Sequence, residues 1–123
     1  MNTMRLNDKT FDDIVHNTQE PILVVFTAPK RCEHCRLEKP ALEQLASAGV
    51  PVFFVDVEQD DSKEIERVLG GRGVPHHKLL DRGIVVREFR GGPMSYEHLL
   101  AFWQGRLPEQ EMLAEHRTPV SDP

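Results

Sequence analysis

Two kinds of apolar pattern alternate along this chain. Pro21 to Phe26 (P-I-L-V-V-F) and Val50 to Val57 (V-P-V-F-F-V-D-V) are near-continuous apolar runs rich in β-branched and aromatic residues. Such runs suit strands covered on both faces of a sheet. Around them, apolar residues recur at helical spacing. Phe11, Ile14 and Val15 form one stripe, in a helix capped by Asn7 or Asp8 and reaching about Asn17. Leu37, Ala41, Leu42, Leu45 and Ala46 form a second, in a helix from near Cys32 to Ala48-Gly49. Pro40 lies inside that helix and is expected to kink it. Ile65, Val68 and Leu69 form a third stripe, between the start signal Gln59 to Ser62 and the break Gly70-Gly71-Arg72-Gly73.

The remaining elements are shorter. Met4 to Leu6 reads as a strand. His77 to Leu80 and Ile84 to Phe89 read as a hairpin turning at Asp81-Arg82-Gly83. Ser95 caps a helix from Tyr96 to about Leu107, with Leu99, Leu100, Phe102 and Trp103 apolar. Pro108 to His116 can form one more short helix, and Thr118 to Pro123 reads as a frayed tail. The order β-α-β-α-β-α-β-β-α predicts a three-layer α/β/α domain over residues 1–107, with 108–123 as a helical extension.

Composition narrows the function. The 123 residues suit one domain, and 39% apolar with 28% charged residues is ordinary for a globular chain. A net charge of −5 argues against nucleic acid as the main partner. No apolar run approaches the roughly 20 residues of a membrane span. The opening M-N-T-M-R-L-N-D shows no apolar leader, so a cytoplasmic protein is expected, or a periplasmic one if an exported chain has been trimmed. The glycine cluster at 70–73 lacks the P-loop lysine and reads as a turn.

The chemistry sits in F-T-A-P-K-R-C-E-H-C-R-L-E-K-P-A, residues 26–41, which contains both cysteines. Cys32 and Cys35 form a C-x-x-C pair between a buried strand and a helix, the redox form of the motif. A helix N-terminus offers unpaired N–H groups and partial positive charge, so a thiol there ionises easily, and the thiolate is the nucleophile. Lys30, Arg31, Arg36 and Lys39 should favour the thiolate, while Glu33 opposes them. His34, as an imidazolium, could stabilise it further. Two other readings stay open. Cys32, Cys35 and His34, with His76 or His77, could hold a metal, although a closed zinc site wants four ligands. The domain could also be a binding module whose thiol chemistry is secondary.

The order of local features resembles the thioredoxin family over roughly Met4 to Leu107. M-R-L-N-D-K-T-F-D-D-I-V resembles the family's first strand and helix, and C-E-H-C occupies its active-site position. Pro40 lies five residues after Cys35, as the family's kinking proline does. R-G-V-P-H resembles the loop before a cis-proline, and R-G-G before a capped helix follows the hairpin as it does there. The resemblance implies a disulfide oxidoreductase without metal or organic cofactor, acting on protein disulfides or dithiols and regenerated by a thiol reductase or an oxidant. It implies that Val74-Pro75 is cis, that Val74 offers its backbone to an extended substrate peptide, and that Gly91 and Gly92 line the other side of the groove. Arg31 and Glu33 flank the cysteines on the same surface.

The departures carry expectations too. Thioredoxins usually have W-C-G-P-C where this chain has R-C-E-H-C, with one extra residue before Cys32 and neither nearby tryptophan. The family's buried acid and its lysine partner would fall near Val25 and Phe54, both apolar here, so the buried base is expected to be missing. His34 before the second cysteine and Val74 before the proline resemble periplasmic oxidases of the DsbA type. Those poise their pair near about −120 mV, against about −270 mV for thioredoxin. The site is therefore expected to be more oxidising than ordinary thioredoxin.

Overall fold

In the computed structural model of the chain, described for residues 3–70 and 73–106, five strands form one mixed sheet. In chain order the elements are β1 (Thr3–Leu6), α1 (Phe11–Asn17), β2 (Ile22–Thr27), α2 (Glu33–Ser47), β3 (Val52–Asp56), a 3₁₀ turn (Asp60–Ser62), α3 (Lys63–Leu69), β4 (His76–Asp81), β5 (Ile84–Arg90) and α4 (Tyr96–Gln104). Across the sheet they run β1-β3-β2-β4-β5. β1, β3 and β2 are parallel, β4 is antiparallel to β2, and β5 is antiparallel to β4.

The predicted element order is the observed one, and β2 shows why its sequence does not alternate. Leu23 and Val25 enter a core with Leu42, Leu45 and Ala46 of α2 and Leu99 and Phe102 of α4. Ile22, Val24 and Phe26 enter the opposite core, with Phe11 and Val15 of α1 and Ile65 of α3. A central strand covered on both faces needs apolar residues at every position.

Boundaries moved where tertiary contacts outweighed local signals. Asn7 does not cap α1. Its Oδ1 accepts Lys9 N–H (2.9 Å) and Thr10 N–H (3.0 Å) in a tight turn, and the helix starts only at Phe11. Asp8 caps a different helix: its carboxylate accepts Glu64 N–H (3.1 Å) and Ile65 N–H (3.0 Å) at the start of α3. Val68, expected inside, is 55% exposed because α3 is short and Ile65 supplies its fully buried contact. α2 runs on through Pro40, which faces solvent. α4 stops at Gln104, short of the predicted Leu107, because Gly105 takes a left-handed φ of 72° and closes the end. The hairpin turns at Arg82 (φ 52°) and Gly83 (φ 86°), two left-handed residues that match the twist of β4 and β5. The predicted helix at 108–116 lies outside the described residues.

Candidate active site

The active-site loop follows from how β2 ends. After Thr27 the chain folds back so that Ala28 O accepts both Arg31 N–H (3.1 Å) and Cys32 N–H (2.9 Å). Glu58 holds the loop from the side. Its Oε1 accepts Lys30 N–H (3.0 Å), and its Oε2 lies 3.5 Å from Arg31 Nε. Arg36 reaches back to donate to Pro29 O at 2.7 Å. Two of the cations expected to surround the cysteines are thus committed to fixing the loop.

Cys32 is the N-cap of α2. Its backbone is extended (φ −114°, ψ 104°), and its Sγ accepts Cys35 N–H at 3.1 Å. A sulfur here plays the part that a serine or aspartate oxygen plays in an ordinary cap, with negative charge favoured by the helix end. Cys32 and Cys35 form a disulfide with Cα atoms 5.3 Å apart. Cys32 is half-buried, whereas Cys35 is 5% exposed. The pair is therefore asymmetric: one cysteine is partly exposed and the other is withdrawn.

The wall opposite is built by the two loops at the near ends of β4 and β5. Val74-Pro75 is cis, and Val74 O lies 3.8 Å from Cys32 Sγ. Gly91 N–H donates to Pro75 O at 2.9 Å, which ties the two loops together. A side chain at Gly92 would meet Pro75 Cγ at 3.0 Å, Glu38 Oε2 at 3.2 Å and Met94 N at 3.3 Å, so only glycine lets this loop lie so close. Gly92-Pro93 is a second cis bond, with no family pattern in the sequence to announce it. Arg31, Cys32, Glu33, His34 and Val74 line one open depression of about 380 Å³. Gly91 and Gly92 pack against Pro75, the residue after Val74. Cys35 opens the other way, into a cavity of about 390 Å³ that also touches Thr27, Lys39, Phe54 and Asp56.

One pair of functional candidates was missed by the sequence reading. Leu37 was placed on the buried stripe of α2 but is 58% exposed, while Glu38 is 1% exposed. The inward stripe is Cys35, Glu38, Leu42, Leu45 and Ala46, so burial of Cys35 turns Glu38 inward and Leu37 out. Glu38 meets His77, which is fully buried on β4 opposite Val25. His77 Nε2 lies 2.9 Å and 2.8 Å from Glu38 Oε1 and Oε2, and Glu38 Oε2 also accepts Met94 N–H at 2.9 Å. Val25 is buried, as the apolar sequence there required, and Glu38 faces His77 and the Met94 N–H rather than the sulfurs. A signal existed, because Glu38 lies one turn after Cys35.

The histidines offered as metal ligands are turned away from that role. His76 and His77 are successive residues of β4 and point to opposite faces of the sheet. His76 Nε2 bonds Glu88 (3.0 Å), which also takes Lys78 Nζ at 2.7 Å. Among the described residues, no group of three histidine, cysteine, aspartate or glutamate side chains converges as a metal site.

His76 carries a consequence for stability. Its Nδ1 is buried without a partner, so a second ring proton would have nothing to bond. Burial, reinforced by the Lys78 charge and opposed by Glu88, pushes its pKa from 6.5 down to about 4. A depressed histidine is neutral in the native state while the unfolded chain already takes up the proton. Stability is then complete above pH 6.5 and is lost as pH falls toward 4. The loss should reach about 3 kcal/mol in all, roughly 2 kcal/mol of it between about pH 6.5 and 5. Urea unfolding across that interval should show this slope in the wild type, and His76→Leu should flatten it. An equal slope in both proteins would exclude His76 as the cause.

The thioredoxin family profile matches residues 2–104. A thioredoxin of Haemophilus influenzae is 35% identical over 85 residues, covering 68% of this chain and 78% of that protein. The protein disulfide-isomerase tigA of Aspergillus niger is 34% identical over 89 residues, 68% of this chain but 24% of that longer protein. Among solved structures, the long form of spinach chloroplast thioredoxin f superposes with a TM-score of 0.73 at 28% identity, covering 85% of this chain and 86% of that one. With its mixed five-stranded sheet, the cis-proline wall and a disulfide capping α2, this chain belongs to the thioredoxin family of disulfide oxidoreductases.

Proposed function

We propose that Cys32 is the attacking sulfur and Cys35 the resolving one in exchange with protein disulfides. The carrying observation is the asymmetry of the pair. Cys32 Sγ sits half-exposed at the cap of α2, accepting Cys35 N–H at 3.1 Å and facing the Val74 carbonyl, while Cys35 is buried. The cap stabilises a thiolate at Cys32. An extended substrate strand lying along Val74, with Pro75, Gly91 and Gly92 behind, would bring its disulfide onto that sulfur.

In the reducing direction, Cys32 thiolate attacks one substrate sulfur. A mixed disulfide forms, and the other substrate sulfur leaves as a thiolate that takes up a proton. Cys35, deprotonated, then attacks Cys32 Sγ and closes the internal disulfide. The second substrate thiolate leaves and is protonated. Two electrons and two protons have moved to the substrate, and a dithiol reductase must return them. Oxidation of a dithiol substrate runs the same steps backwards, with an oxidant restoring the disulfide. Arg31, Glu33 and His34 line the mouth of the site and set the charge that a substrate meets.

Whatever stabilises the thiolate stabilises the reduced form and raises the potential. The N-cap geometry and His34 favour it, and Glu33 opposes it. The Cys32–Cys35 pair, equilibrated against glutathione and dithiothreitol, should have a potential between about −270 mV and about −120 mV, above that of ordinary thioredoxin. A value at or below about −270 mV would overturn the oxidising assignment and leave a plain reductant. Cys35→Ser should accumulate mixed disulfides through Cys32, visible as reducible adducts on a gel.

A further inference from the structure

We propose that Glu38 and His77 form a positioning dyad that sets the substrate-binding wall at its working distance from the cysteine pair. The proposal rests on the reading that Val74, Pro75, Gly91 and Gly92 receive an extended peptide.

The dyad joins the two parts that must be in register. Glu38 lies on α2, three residues after Cys35, and His77 lies on β4, two residues after Pro75. Every other bond of the dyad runs to the wall or its support. Glu38 Oε2 accepts Met94 N–H directly after the Gly92-Pro93 loop, and it lies against the bare face of Gly92 beside Pro75. His77 Nδ1 lies 2.9 Å from the carbonyl of Phe89, which leads into Gly91 through Arg90. A carbonyl only accepts, so Nδ1 carries a proton and the ring orientation is set. Nε2 is then left for Glu38, and the ring packs against Phe89, tilted at 47°, and against Phe102, edge-on, with centroids 6.2 and 6.3 Å away.

Stability alone does not account for this pair. A fully buried polar pair is commonly matched or exceeded by apolar side chains of similar volume. What apolar replacements lack is direction. The dyad's hydrogen bonds fix angles and distances between α2, β4 and the 91–94 loop. Without them the wall remains packed but is free to settle at another height over Cys32. A misplacement of about 1 Å in such a site can cost on the order of a hundredfold in rate. A small disulfide that touches only Cys32 does not use the wall and is indifferent to its height.

The test compares two substrates on one set of variants. Insulin reduction, driven by dithiothreitol, reads the wall. Stopped-flow reaction of the reduced protein with a small aromatic disulfide reads Cys32 alone. Glu38→Leu/His77→Leu should lower kcat/KM for insulin by at least about tenfold. Its small-disulfide rate should stay within about twofold of wild type. Glu38→Gln, which can still accept from Met94 N–H and donate to His77, should keep insulin activity within about threefold. If the double variant does not fold, Glu38→Asp carries the same test, being too short to hold His77 and Met94 together. An unchanged insulin rate would overturn the proposal. So would a parallel fall in both rates, since that locates the effect at the sulfurs. Val74→Asp separates the two readings. If it spares insulin reduction, the wall reading fails; if it impairs it while the dyad variants do not, the dyad alone is wrong.

Discussion

Cys32→Ser is expected to abolish disulfide exchange. Insulin reduction in the presence of dithiothreitol should fall to the uncatalysed background, a loss of roughly a thousandfold or more, as removal of a covalent nucleophile usually brings. The physical reason is the asymmetry of the pair. Cys32 Sγ is the one that the helix cap prepares and the Val74 carbonyl faces, and Cys35 is 5% exposed. Serine keeps the cap, because its hydroxyl can accept Cys35 N–H as the sulfur does, so the fold should be retained and thermal unfolding little altered. Cys35→Ser should behave differently, still reacting once with a substrate and stopping there. If Cys32→Ser kept more than about a tenth of the wild-type rate, the attacking sulfur would be Cys35, and the cap would be no guide to reactivity in this chain.

His77→Leu, made alone, is expected to destabilise the protein more than any surface change, by about 3–5 kcal/mol. It leaves the Glu38 carboxylate in a fully enclosed site with only Met94 N–H as a partner. The cost is that of a buried carboxyl stripped of its main partner, more than that of one lost hydrogen bond between exposed groups. For a domain of this size the midpoint temperature should drop by more than about 10 °C. Glu38→Leu added to His77→Leu should recover most of the loss, because the apolar pair leaves nothing unpaired. The double-mutant cycle then measures the coupling directly. A single variant costing less than about 1 kcal/mol would mean that Glu38 finds water or another partner once His77 is gone. Stability and function therefore separate in this pair: the apolar double variant should be stable yet slow on insulin.

The architecture was legible in the sequence because hydrophobic pattern is a local quantity that tertiary packing reinforces. The unbroken run Ile22 to Phe26 announced a strand buried on both faces. The hairpin at Arg82-Gly83, the cap Ser95 and the cis-proline after Val74 were each readable from a few neighbouring residues or from the family pattern. So was the cysteine site, since a C-x-x-C at a strand-to-helix junction places both sulfurs in the first helical turn whatever the rest of the chain does.

Other features depend on residues far apart in the chain. Asp8 looks like a cap for the helix that follows it, yet it caps α3, 56 residues on, because β1 lies beside β3 and brings the start of α1 onto the start of α3. Glu58 cannot be tied to Arg31 from the sequence, since only the pairing of β2 with β3 makes them neighbours. Leu37 and Glu38 exchanged their expected places for the same kind of reason. Hydropathy says that leucine goes in and glutamate out, but the phase of α2 is set by Cys35 at one end and by Leu42 and Leu45 at the other. By itself the sequence determined the fold and the redox pair. Only the tertiary structure decided that an acid would be buried beside Gly92 and the cis-Pro75, because a buried carboxyl is tolerable only where a partner such as His77, 39 residues away, arrives to meet it.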